Sequence, residues 1–145
     1  MRKTISLPEY VKKRNGKPLG ASGSMTNMLS RSLGANSFEN FWRYWNPIWG
    51  YYLSRNIMKP LCKLVPVWLA TILTFATSGV LHDMAIALVK WQTVFFFTPW
   101  FIVMGLAVLV TAKLNITYAN YAWHLRAVIN TTIIGTTYAL TNTTI

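Results

Sequence analysis

An all-α, membrane-integrated fold is what the sequence predicts: an aromatic helix at the bilayer interface followed by about three membrane-spanning helices. Three observations predict it. Apolar residues make up 53% of the chain and charged residues only 12%, a balance too apolar for an ordinary soluble domain. The apolar residues fall into long runs, of which Leu64 to Val89 is the longest. Aromatic residues, 14% of the chain, gather near the ends of those runs, where amphipathic rings favour the membrane–water interface. At 145 residues the chain suits a single domain.

Residues 1–36 read as a basic, mostly irregular arm, with a short helix over about Met25 to Leu33. Small and turn-forming residues dominate it, as in Gly16, Pro18, Gly20 and Gly23. Eleven of the fourteen Lys and Arg residues lie at or before Lys63, against only Glu9 and Glu39, and the formal net charge is +11. An arm of this sign joined to lipid-embedded segments meets anionic headgroups and obeys the positive-inside rule, so the amino terminus is expected in the cytoplasm of a multi-pass cell-membrane protein. Nucleic acid is not an expected partner. The first apolar run starts far from Met1, so no secretory leader is expected.

Residues 37–145 read as the membrane domain. Ser37 is a helix cap with Glu39 in the first turn, opening a helix from about Phe38 to Met58 that Pro47 permits to kink and Pro60 ends. Arg43, Asn46 and Arg55 interrupt its apolar character, so segment 37–60 is expected to lie in the interface rather than to cross. Arg43 and Arg55 are candidate contacts for lipid headgroups or for the phosphates of an acyl carrier. Segment 64–89, about 39 Å as one helix, is long enough to cross a core of about 30 Å with tilt, and Pro66 falls in its first turn, where proline is tolerated. Segment 94–112 supplies a second span, with Met104-Gly105 easing close packing. Segment 118–140 is the least apolar because of Asn120, His124, Arg126, Asn130 and its threonines, and it crosses only if that polar face packs on the other helices. Asn115, Asn130 and Asn142 each begin a glycosylation sequon, a pattern frequent by chance in a chain rich in Asn and Thr.

Chemistry concentrates at His82 and Asp83, late in an apolar run. Ionisable groups there are costly without partners and are functional candidates for that reason. Neutral imidazole suits removal of a hydroxyl proton during acyl transfer. The amide of Asn46 suits donation to a developing oxyanion or orientation of the ring. Ser78 precedes His82 by four residues on the same helical face, so its hydroxyl is expected to hold the ring, whereas Asp83 points away. The alternative for His82 is a hydrogen bond to a neighbouring helix, and for Asp83 a boundary at the headgroups. His124, beside Trp123 and Arg126, reads as an interfacial histidine, and Trp42, Trp45, Trp49, Tyr51 and Tyr52 as packing and interface anchors. Cys62 is alone, which rules out an intrachain disulfide. No metal-ligand cluster, dinucleotide fingerprint or serine elbow is present, so neither a metal nor a resident cofactor is expected.

Phe41-Trp-Arg-Tyr-Trp-Asn46 followed by Ser78-Gly-Val-Leu-His82 resembles the signature of the membrane-bound O-acyltransferase family, which includes sterol and diacylglycerol acyltransferases and plant wax synthases. The likeness spans about Ser37 to Val89. It implies that Asn46 and His82 are the catalytic pair, and because a supporting amide serves a base only at hydrogen-bonding or one-substrate distance, the two are expected to approach each other across the junction of the aromatic helix and the first long span. It also implies acyl-coenzyme A as donor and a hydroxyl compound as acceptor. Members build a chamber from more helices than this chain holds, so a homo-oligomer or membrane partner is expected to complete the site. Two other functions fit the same residues: a non-catalytic scaffolding subunit that keeps the motifs, and a small channel using His82, Asp83 and Arg126 as a polar path.

Overall fold

Ser6, Pro8 and Glu9 set the first helix. The computed structural model describes residues 4–145, and every regular element among them is helical. In α1 (Leu7–Asn15), the Ser6 backbone N–H and hydroxyl both donate to the Glu9 carboxylate at 2.9 Å, a reciprocal cap of the S-x-x-E kind. Gly16 closes the helix in the left-handed region, φ 77°. With α2 (Ser24–Leu33), this makes the arm more helical than expected. The helix predicted over Met25 to Leu33 is α2; α1 was not anticipated.

The aromatic segment is broken, not kinked. Ser37 caps α3 (Phe38–Tyr44) through its side chain, and α4 (Pro47–Leu53) begins afresh after Asn46. Pro47 disfavours helical backbone at the residue before it. Asn46 instead takes φ 40°, ψ 72°, a left-handed conformation asparagine tolerates better than most residues. Beyond α4 the chain widens into a π segment, Ser54–Met58, before a last turn, α5 (Lys59–Leu61). Pro60 has no N–H to return to the preceding turn, and the chain absorbs this by adopting the wider register, with the Lys59 N–H donating to the Ser54 carbonyl. Pro60 therefore lies one residue inside the helix end.

Three long helices follow: α6 (Val67–Lys90), α7 (Phe97–Lys113) and α8 (Trp123–Thr144). Among the described residues only α6 is long and apolar enough to cross a membrane by length and composition. The 17 residues of α7 measure about 25 Å, and α8 is long but threonine-rich. Small residues bring α6 and α7 together. A Cβ on Gly79 would lie 2.6 Å from Thr98 Cα, and one on Gly105 would lie 3.2 Å from the Phe75 ring. Met104 beside Gly105 is buried, in keeping with the close packing expected there.

The core forms around α3. Ala35, Phe38, Phe41 and Val108 are buried together, with Trp42, Phe75, Ile133 and Ile134 packed around them. The two phenylalanines of the motif segment thus face α7 and α8 instead of an interface. Asn130 on α8, fully buried, donates to the Leu33 carbonyl at 2.9 Å and the Ala35 carbonyl at 3.1 Å and accepts from the Tyr118 hydroxyl. Trp123 donates to the Ser30 carbonyl at 2.9 Å. The bond to Leu33 satisfies an open carbonyl at the end of α2, and the set fastens the arm to α8. Burial also shuts the Asn130 sequon away from modification.

Candidate active site

His82 sits one turn after Ser78 on α6, half-buried. Its Nδ1 lies 2.6 Å from the Ser78 backbone carbonyl. A carbonyl only accepts, so Nδ1 carries a proton, and in the neutral ring this tautomer leaves the lone pair on Nε2. The ring is enclosed by aromatics. Its centroid lies 4.9 Å from that of Phe101, 5.8 Å from Phe97 and 6.2 Å from Trp49, the last meeting it edge to face. Ser78 does hold the ring, but through its backbone: the Ser78 hydroxyl accepts from Trp49 Nε1 at 3.0 Å.

Asn46 reaches this cage through Trp49. Its Oδ1 accepts from the Trp49 backbone N–H at 3.3 Å, capping α4. Its own N–H points at the Met28 sulfur, 3.2 Å away. No hydrogen bond joins Asn46 to His82, and a single indole spans the gap between the two motif residues. The cap fixes where α4 starts, the start fixes Trp49 three residues on, and Trp49 then contacts both Ser78 and His82.

Asp83 faces the other way, as its place on the helix requires. One carboxylate oxygen accepts from the backbone N–H groups of Phe96 and Phe97 at 3.0 and 2.8 Å, and the other from the Thr98 N–H and hydroxyl at 2.8 and 2.6 Å. These are open donors at the start of α7, so Asp83 caps that helix from α6. It acts on the site at one remove, since α7 carries Phe97 and Phe101 against His82.

The other candidates lie elsewhere. Arg43 pairs with Glu39 at 2.9 Å, both side chains exposed. Arg55 donates to the Tyr51 hydroxyl at 2.5 Å and lines a cleft with Lys59. A second hollow, of about 230 Å³, lies between Ser37, Glu39, Thr111 and Asn115; neither hollow touches His82. Among the described residues no three His, Cys, Asp or Glu side chains converge as metal ligands. Sequence reasoning missed Trp49, Phe97 and Phe101 as parts of the cage. The one signal available was Asn46-Pro47, a cap followed by a first-turn proline, which places Trp49 at the third helical position.

The family model of the membrane-bound O-acyltransferases matches residues 25–139. The chain belongs to that family, whose members are membrane-associated, and membership points to membrane-bound O-acyltransferase activity. No curated protein and no solved structure matches the chain.

Proposed function

We propose that the chain transfers an acyl group from a thioester, acyl-coenzyme A by analogy with the family, to a hydroxyl acceptor, with His82 as general base. The observation that carries this reading is the bond from His82 Nδ1 to the Ser78 carbonyl, which leaves Nε2 free to take a proton. As the acceptor oxygen attacks the thioester carbonyl, Nε2 removes the hydroxyl proton. The C–O bond forms, the C–S bond breaks, and the leaving sulfur recovers the proton from the imidazolium. Asn46 acts as a positioning residue through Trp49, and Ser78 holds both the imidazole and the indole.

The same reading sets the protein in a cell membrane as a multi-pass chain, with α6, α7 and α8 embedded and the basic arm cytoplasmic. Apolar side chains left exposed along these helices support it, among them Trp68, Leu88, Val110, Val128 and Leu140. A second copy or a membrane partner completes the acyl site.

The test is specific activity per inserted molecule, measured with a labelled acyl donor for wild type and His82→Ala. Losing the base costs about 10²- to 10⁴-fold in rate, with abundance nearly unchanged. Unchanged specific activity removes His82 from the mechanism. A wild-type protein that transfers no acyl group from any donor supports the scaffolding reading instead.

A further inference from the structure

The chain has three side-chain carboxylates, and each is committed. Glu9 accepts from Ser6, which holds its carboxyl below the ordinary value through the backbone N–H first and the hydroxyl second. Glu39 pairs with Arg43, and Asp83 caps α7. Arg55 and Lys59 therefore have no carboxylate within the chain to pair with, and the undescribed residues 1–3, Met-Arg-Lys, bring no acidic side chain.

Arg55 and Lys59 are not scattered surface charges. They line one cleft of about 130 Å³, with Tyr10 of α1, Tyr51 of α4, Ser54 and the chain at Thr4 and Ile5. The π segment builds it. In its i→i+5 register Ser54 and Lys59 are stacked one turn apart, bonded backbone to backbone, with Arg55 beside them. The guanidinium is steadied by the Tyr51 hydroxyl at 2.5 Å and lies 5.8 Å from the centre of that ring, and Tyr51 packs edge to face on Tyr10 at 5.5 Å. Arg55, with its guanidinium oriented by Tyr51, borders one cleft together with Lys59 and Ser54, residue types that donate to phosphate oxygens. The cleft is smaller than the roughly 300–1,000 Å³ of pockets that enclose a whole small ligand, so it takes a charged group and leaves the remainder of the ligand outside.

We propose that the cleft between α1 and the π segment binds a phosphate ester, with Arg55, Lys59 and Ser54 as its donors. The site is distinct from the His82 cage and does not depend on acyl transfer. A phosphate ester reaches it either as the headgroup of an anionic phospholipid or as a soluble phosphomonoester.

The experiment measures binding of phosphatidic acid to the full chain in phosphatidylcholine bilayers, by native mass spectrometry, for four proteins. These are wild type, Lys59→Gln, the double variant Arg55→Gln/Lys59→Gln, and a control, Lys12→Gln/Lys13→Gln, that removes equal charge from the arm outside the cleft. Glycerol 3-phosphate is added as a soluble competitor. Wild type is expected to bind one phosphatidic acid saturably. At about fivefold per cationic side chain, the double variant loses roughly twenty-five-fold and Lys59→Gln roughly fivefold, while the control stays within about twofold. Competition by glycerol 3-phosphate identifies a site for the phosphate itself; its failure, with phosphatidic acid still bound, identifies a membrane-presented headgroup. Should Arg55→Gln disturb folding through Tyr51, Lys59→Gln alone decides, because Lys59 is exposed and its ammonium pairs with no carboxylate in the fold. A control that loses as much affinity as the double variant, or a Lys59→Gln protein that binds like wild type, overturns the proposal.

Discussion

Asp83→Asn isolates the capping role of Asp83 because it keeps shape and removes one acceptor with its charge. In the wild type, two oxygens take four donors at 2.6 to 3.0 Å, three of them backbone N–H groups at the start of α7. An asparagine carbonyl in place of the first oxygen keeps the bonds to Phe96 and Phe97. Its NH₂ then faces the Thr98 N–H, donor against donor. One buried unpaired N–H costs about 1–3 kcal/mol, and losing a negative charge at a helix N-terminus costs about 0.3–1 kcal/mol more. Together these predict about 1–4 kcal/mol, and Asp83→Ala, which opens all three amides, a larger loss. The measurement is reversible unfolding in mixed micelles, with the ellipticity of α6 to α8 as signal. An Asp83→Asn protein within about 0.5 kcal/mol of wild type would refute the reasoning, since a capping carboxylate with four partners cannot be replaced without cost.

Two further outcomes follow from the same geometry. Trp49→Phe keeps a ring beside His82 but deletes the donor to Ser78, so stability is expected to fall by no more than about 1.5 kcal/mol while turnover falls more than about tenfold with KM little changed; equal turnover in the variant would show that Trp49 positions nothing. Tyr118 lies in the connection before α8, and burial pushes its phenol from the ordinary value of 10.0 up to about 12. The folded state then holds a proton that the unfolded state releases first, so stability is full below about pH 10 and falls as pH rises from about 10 to 12. Unfolding midpoints at pH 9 and 11 should separate for wild type and converge for Tyr118→Phe; a wild type with no such separation would count against the buried phenol.

Much of the fold is visible in the sequence because long apolar runs allow few alternatives. The three long helices lie where Leu64–Val89, Val94–Ala112 and Tyr118–Leu140 announce them, shifted by a few residues at their ends. The α1 helix was legible too, since Ser6-Leu-Pro-Glu9 is a capping box with an early proline, but its surroundings of Lys, Gly and Pro read as irregular. What composition does not disclose is which partner a polar group finds. The partners of Asp83 become visible only when α7 folds back and offers three amides. Ser78 and His82 share a face, which is visible, yet the choice between hydroxyl and carbonyl is decided by Trp49, twenty-nine residues earlier. Arg43 shows the same limit at a shorter distance: its partner in the fold is its i−4 neighbour Glu39, on the exposed face.

The motif segment divides its labour by residue type. Phe38 and Phe41 are spent on the core, where they hold α3 against Val108 of α7. Asn46 stops that helix and starts another, and only an asparagine-like residue both accepts the left-handed backbone and caps the next turn. Trp49 is what the restart delivers to the imidazole. Moving the break by one residue would rotate the indole by about 100° around α4 and carry it off Ser78 and His82 together. The spacing from Asn46 to Trp49 is therefore as much a part of the site as the histidine itself. It also explains how a residue with no bond to His82 can govern it: Asn46 sets the phase of a helix, and the phase sets the cage.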